Sequence, residues 1–87
     1  MTEDKLIERV LDVVARTAGP ARTPASAGPD TPLRQGGFWL DSIDLVELVV
    51  ACEAEFGLAF EGETDLTAEA LRTSRTLAEL IRGKTER

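Results

Sequence analysis

Apolar residues recur along the chain at intervals of three and four, the spacing that places them on one face of an α-helix. Gly19-Pro20 and Gly57 supply the signals that usually end a helix. The alternation typical of β-strands is rare. The pattern predicts an all-α fold, a small four-helix bundle of three longer helices and one short helix. The predicted helices are 3–17, 41–56, 65–71 and 76–82.

A long loop, residues 18–40, separates the first two helices and contains all four prolines. Loops of this length are uncommon in compact domains and are often functional. Leu33, Phe38 and Leu40 are expected to anchor the loop over the core. Whether Trp39 packs there or lies exposed stays open. The whole chain, residues 1–87, is interpreted as a single domain.

Two helix starts carry capping signals. Asp41 is expected to cap the second helix by accepting from the backbone amide of Ile43 or Asp44, and Asp44 can reach back to complete a capping box. Thr76 and Glu79 have the same spacing, which predicts that the last helix begins there.

The helix 41–56 has two apolar stripes. The first stripe is assigned to the core and comprises Leu45, Leu48, Val49, Cys52 and Phe56. The second, which we call the outer stripe, consists of Ile43, Val46 and Val50. Since a bundle of this size can hardly cover a helix on both sides, the outer stripe is expected to stay exposed for a partner. The alternative is that loop 18–40 folds over it.

Charge is unevenly distributed. The net charge is −6, and nine acids but no base lie between Arg34 and Arg72. This distribution argues against nucleic acid and anionic membranes as partners and favours proteins with basic docking patches. On charge alone, an acidic surface that merely aids solubility fits equally well.

Composition also limits location and chemistry. No apolar run approaches the roughly 20 residues of a membrane span, and the charged start does not resemble a signal peptide. The one cysteine, Cys52, fits a reducing cytoplasm. The absence of histidine and tyrosine removes the usual general base and the commonest zinc ligand. We therefore expect no enzyme, no catalytic residue and no metal site.

Ser42 opens the second helix, where its hydroxyl would be exposed to another enzyme, although serine is also a common capping residue. The run Asp41-Ser42-Ile43-Asp44-Leu45-Val46-Glu47-Leu48, continued to Gly57, resembles the modification-site helix of acyl carrier proteins. Asp30-Thr31-Pro32-Leu33 resembles the loop motif before the serine in that family, and residues 75–81 resemble its last helix. The resemblance covers nearly the whole chain.

The resemblance implies that Ser42 receives a 4′-phosphopantetheine arm from coenzyme A through a phosphopantetheinyl transferase. The thiol of the arm would carry an acyl or aminoacyl group as a thioester. A loading enzyme would supply that group, and a synthase, acyltransferase or other downstream enzyme would use it. Asp41 would help to hold the magnesium of the transferase. The residues implied in partner recognition are Asp41, Ile43, Asp44, Val46, Glu47, Val50 and Glu53.

Two features depart from the family pattern. The segment Gly37-Phe38-Trp39-Leu40 replaces the small, glycine-containing residues that are common just before the Asp-Ser pair in the family. Its bulky aromatic residues either shape recognition by a dedicated partner or fill core space. Cys52 stands where a larger aliphatic residue is usual, and it is expected to be a small buried hydrophobe.

Two functions of different class follow. The first is a free-standing, monomeric carrier protein for polyketide, fatty-acid or nonribosomal-peptide-type biosynthesis. The second is an unmodified acidic helical module that binds a partner through the same face. Replacement of Ser42 by alanine should abolish only the first function.

Overall fold

The computed structural model describes residues 2–86, which form four helices and no β-sheet. The helices are α1 (Glu3–Ala18), α2 (Ser42–Phe56), α3 (Gly62–Asp65) and α4 (Ser74–Thr85). Helix α1 packs against both α2 and α4. The prediction of an all-α bundle with three longer helices and one short helix is confirmed.

Helix α1 is defined by local signals at both ends. The Thr2 hydroxyl accepts from the backbone N–H of Lys5 at 3.3 Å, and Gly19 follows the last turn with a positive φ of 83°. The helix ends one residue beyond the expected boundary. Its apolar face supplies a large part of the core.

The core is mainly aliphatic, and its largest fully buried side chain is that of Phe38. Helix α2 contributes fewer fully buried residues than its first stripe suggested: Leu48 and Cys52 are buried, whereas the other three members are half-buried. The buried apolar residues are Leu6, Ile7, Val10, Val13, Val14, Ala18, Leu33, Phe38, Leu40, Leu48, Cys52, Leu77, Ala78 and Ile81.

The long loop is fixed to the bundle by backbone hydrogen bonds and by its three predicted anchors. Leu33, Phe38 and Leu40 are all buried, as expected. The N–H of Phe38 donates to the carbonyl oxygen of Pro32 at 3.0 Å, and the N–H of Leu40 donates to that of Leu33 at 3.0 Å. A Cβ atom at Gly37 would overlap the Pro32 carbonyl oxygen, so this close approach requires glycine.

The predicted short helix, 65–71, is wrong. Helix α3 instead ends at Asp65, whose carboxylate accepts from the N–H of Glu61 at 2.7 Å and from the Lys84 ammonium at 2.6 Å. The following residues form only one turn, closed by the N–H of Leu71 donating to the Thr67 carbonyl oxygen at 3.1 Å. Apolar spacing in this segment therefore reflects one packed turn and not a helix.

The predicted start of the last helix at Thr76 is also wrong. Thr73 caps α4: its hydroxyl accepts from the N–H of Thr76 at 3.2 Å, while the Thr76 hydroxyl accepts from the N–H of Thr73 at 3.0 Å. An isolated antiparallel bridge between Pro32 and Thr73 keeps Thr73 extended, which places the helix start at Ser74. The helix also continues to Thr85, beyond the expected end at residue 82.

Candidate functional site

Ser42 is the first residue of α2, and it is exposed. The predicted capping box is formed by its neighbours. The Asp41 carboxylate accepts from the N–H of Asp44 at 2.8 Å, and the Asp44 carboxylate accepts from the N–H of Asp41 at 3.0 Å. Because Asp41 performs the capping, the Ser42 hydroxyl is not needed for it.

Arg22 of the long loop binds Asp44 with two hydrogen bonds. The Nη1–Oδ2 distance is 2.6 Å and the Nη2–Oδ1 distance is 3.2 Å, while Nε donates to the Ala18 carbonyl oxygen at 3.0 Å. The Arg22 guanidinium and, after it, the N–H of Asp41 hold the pKa of Asp44 well below its usual range. Asp44 is therefore a carboxylate with a fixed counterion. Sequence reasoning missed this pair, since nothing local links residues 22 positions apart.

The outer stripe is exposed. The exposed fractions are 70% for Ile43, 64% for Val46 and 58% for Val50. The alternative that loop 18–40 buries this stripe is wrong.

Trp39, in the loop before α2, is also exposed, with an exposed fraction of 58%. Its φ of 57° is uncommon for a bulky residue. The N–H of Trp39 donates to the Arg34 carbonyl oxygen at 2.9 Å, and both of its chain neighbours, Phe38 and Leu40, are buried. The loop thus uses an unfavourable backbone conformation and leaves the indole in solvent, where its apolar surface is available to a partner.

The four acids predicted for partner recognition differ in availability. Asp41 and Glu47 are exposed, and the Glu47 side chain makes no hydrogen bond or ion pair with any residue from 2 to 86. Asp44 is 13% exposed and paired with Arg22. Glu53 is half-buried and accepts from the N–H of Phe60 at 2.8 Å. The structure therefore leaves Glu47 as the acid best placed to meet a partner.

A family model described as the phosphopantetheine attachment site matches residues 8–82. The chain belongs to this family. Members carry 4′-phosphopantetheine covalently, so the protein is a phosphopantetheine-carrying carrier protein. Carrier proteins of this kind interact with modifying and biosynthetic enzymes and are not themselves catalysts. No curated protein and no solved structure matches the chain.

The start of α2 in this carrier protein can accommodate an added phosphate. The N–H of Leu45 donates to the Asp41 carbonyl oxygen at 2.9 Å, and that of Asp44 is used by the capping box. The N–H groups of Ser42 and Ile43 make no hydrogen bond within the described part of the chain. Free amides and the helix dipole favour an anion at this position.

The single cysteine of the carrier protein is shielded from reagents. Cys52 is buried, and burial, followed by the charges of Glu55 and Glu53, raises its pKa to about 12. Its thiol is therefore a packed core group, as expected from the sequence.

Across residues 2–86, no group of three or more metal-ligating side chains is close enough to hold an ion. No helix in this part of the chain is long and apolar enough to cross a membrane.

Proposed function

We propose that this carrier protein tethers biosynthetic intermediates as thioesters on a 4′-phosphopantetheine arm attached to Ser42, and presents them to partner enzymes. The observation that carries the proposal is the exposed hydroxyl at the first position of a helix that another residue caps. A phosphopantetheinyl transferase can reach this oxygen without unfolding the helix.

Electrostatics at the site support the attachment of a phosphodiester. The helix dipole and the N–H groups of Ser42 and Ile43 stabilise the new negative charge. Arg22 offsets the charge of Asp44, so that the phosphodiester faces less repulsion than the sequence suggests. Exposed Asp41 would contribute, by the family resemblance, to holding the magnesium of the transferase.

The recognition surface supports repeated, reversible docking. Its apolar centre is the outer stripe with Trp39, and Glu47 lies on the same helix as an acidic rim residue. Rim charges mainly govern encounter rate and partner selection, which suits a protein that visits several enzymes in turn. We assign Asp44 and Glu53 supporting roles beneath this surface because both make intramolecular hydrogen bonds.

The partners proposed are a loading enzyme of acyl or aminoacyl type and downstream enzymes such as a synthase or an acyltransferase. The pathway class proposed is polyketide, fatty-acid or nonribosomal-peptide-type biosynthesis. An unmodified helical module would use the same surface but would not require Ser42.

Attachment is tested by producing the protein with a broad-specificity phosphopantetheinyl transferase and measuring its intact mass. Wild type should gain the mass of one arm, and Ser42→Ala should gain none. Ser26→Ala is the matched control, since Ser26 is an exposed serine in the long loop, and it should be modified like wild type. An unmodified wild type, or a modified Ser42→Ala variant, would refute the proposal.

A further inference from the structure

Trp39 occupies a backbone position that suits glycine better than tryptophan. Within residues 2–86 it is the one residue other than glycine with a positive φ, at 57°. Residues with a bulky side chain rarely adopt this conformation, because Cβ then crowds the following carbonyl oxygen, whereas glycine adopts it readily. Such strain persists only where the surrounding structure enforces it, and strained positions cluster at functional sites.

The backbone of the loop, and not the indole, enforces this conformation. The N–H groups of four consecutive residues, 37–40, donate to carbonyl oxygens of residues 32–34 at 2.9 to 3.2 Å. The residues on either side of Trp39, Phe38 and Leu40, are buried and hold the chain from both directions. Any residue at position 39 would therefore meet the same backbone constraint.

The fold itself makes little use of the indole. Its exposed fraction is 58%, and it makes no hydrogen bond and no cation–π contact within residues 2–86. Glycine would occupy this position with less strain. The advantage of tryptophan therefore lies in a contact with another molecule.

Trp39 and Ser42 belong to one rigid segment. Three peptide units separate them, so their Cα atoms lie no more than about 11 Å apart. Both residues between them are fixed: Leu40 is buried, and the N–H of Asp41 donates to the Asp44 carboxylate at 3.0 Å. An enzyme that forms a bond to the Ser42 oxygen must bring its catalytic groups to this segment, where its surface meets the indole. An enzyme that acts on the thiol of the arm works farther away, at a distance set by the arm.

We propose that Trp39 is a specificity-determining residue for attachment of the arm, and that its indole enters an apolar pocket beside the active site of the phosphopantetheinyl transferase. The inference rests on the proposed function, since it requires modification of Ser42. Tryptophan is enriched among the residues that dominate binding energy, and a rigid anchor loses little entropy on binding. The same bulk disfavours a transferase without such a pocket, so one side chain both selects and excludes.

The test measures modification of Trp39→Gly, Trp39→Asn and Trp39→Phe by each phosphopantetheinyl transferase of the organism that makes this protein. With at least one transferase, the glycine and asparagine variants should raise KM about tenfold with little change in kcat, as expected for a lost binding anchor. The phenylalanine variant keeps an aromatic ring and should retain most of the wild-type kcat/KM. The loss should persist when salt is added, because the contact is apolar.

Urea unfolding separates recognition from folding. Glycine relieves the positive φ but gives the unfolded chain more freedom, so the midpoint of Trp39→Gly should stay close to that of wild type. Asparagine tolerates a positive φ without the freedom of glycine, and its midpoint should not fall either. Ala25→Gly is the matched control for added loop freedom, since Ala25 is an exposed residue of the same loop, and it should be modified like wild type.

Four outcomes would overturn the inference. These are KM values within about twofold of wild type with every transferase, a loss confined to kcat, a phenylalanine variant as poor as the glycine variant, or a loss accompanied by a lower urea midpoint in both the glycine and asparagine variants. The first would assign the indole to an enzyme that uses the loaded arm, and the last would assign it to the fold.

Intact mass of wild type, measured first, separates this inference from the proposed function. If no transferase adds an arm to wild type, attachment at Ser42 is refuted. If wild type and the Trp39 variants are modified equally well, only the role of Trp39 is refuted.

Discussion

A single position distinguishes a modifiable serine from a capping serine at the start of α2. At the N-cap, a serine hydroxyl would accept from the helix backbone. Here Asp41 takes that role, and Ser42 stands one residue later with its side chain exposed. The hydroxyl is thus held by a rigid helix without being used by it, which is the arrangement that a modifying enzyme requires.

The Arg22–Asp44 pair should make the free energy of unfolding depend on pH, with a loss of stability in acid. Because the pKa of Asp44 is lowered in the folded state, its contribution is present above the unfolded-state pKa of about 3.9 and is lost as the pH falls below it. Arg22→Gln should therefore be less stable than wild type at neutral pH. The difference in free energy of unfolding between this variant and wild type should narrow below about pH 4.

Urea unfolding followed by circular dichroism over a pH series measures this effect. Arg34→Gln is the control, because the Arg34 side chain makes no ion pair within residues 2–86. A gap between Arg22→Gln and wild type that stays constant with pH would contradict the assigned role of the pair.

Cys52 should react slowly with alkylating agents. The thiolate is the reactive form, and both burial and the raised pKa of about 12 disfavour it. Native protein at about pH 8 should be labelled by iodoacetamide far more slowly than urea-unfolded protein, as judged by mass spectrometry. Since the unfolded thiol loses its proton first, stability should also fall as the pH rises above the ordinary thiol pKa. Equal labelling rates in the two states would show that the thiol is accessible.

At the scale of helices, the sequence was sufficient wherever a boundary depends on neighbouring residues. The capping box of α2 and the glycine after its last turn are both local, and both were predicted correctly. For helix α4, the sequence predicted a capping box at Thr76 and Glu79, whereas the structure forms the box three residues earlier, at Thr73 and Thr76. Thr73 is held by the bridge from Pro32, a contact that no local pattern reports.

The end of helix α3 was also not predictable from neighbouring residues, because Asp65 is held by a distant residue, Lys84, at the far end of α4. Only 8% of the Asp65 side chain and 10% of the Lys84 side chain are exposed. Lys84→Met would leave a buried carboxylate without this counterion. It should cost about 3 kcal/mol in the free energy of unfolding, the low end for a broken buried pair, because the pair lies near a helix end.

Urea denaturation measures the cost of Lys84→Met. Lys5→Met is the matched control, since Lys5 is exposed, and it should be close to neutral. The double variant Asp65→Asn, Lys84→Met should recover much of the loss, because asparagine keeps an acceptor for the N–H of Glu61 without the charge. A small effect of Lys84→Met would show that the pair is solvated.

For the molecule as a whole, the sequence predicted the negative net charge and the exposed outer stripe. It did not predict which acids are free to face a partner and which are paired within the chain. Whether Asp44 faces a partner or its own chain depends on Arg22, which lies in an irregular loop. Exposure of Trp39 depends on how its two buried neighbours anchor that loop. Such contacts form only when the whole bundle assembles.

Glu47→Lys should weaken docking without affecting the fold. It should lower kcat/KM for modification by a phosphopantetheinyl transferase about tenfold, mainly through KM, and the loss should shrink as salt is added. Glu8→Lys is the matched control, because Glu8 is an exposed acid on α1, and it should behave like wild type. A salt-independent loss, or an equal loss in the control, would argue against the proposed surface.

The exposed indole of Trp39 gives the protein a built-in optical probe. It is the only tryptophan, and no tyrosine is present to contribute background emission. Fluorescence excited at the indole band should be red-shifted in the free protein and move to shorter wavelength when an enzyme covers Trp39. Carrier–enzyme association could then be titrated without attaching a dye.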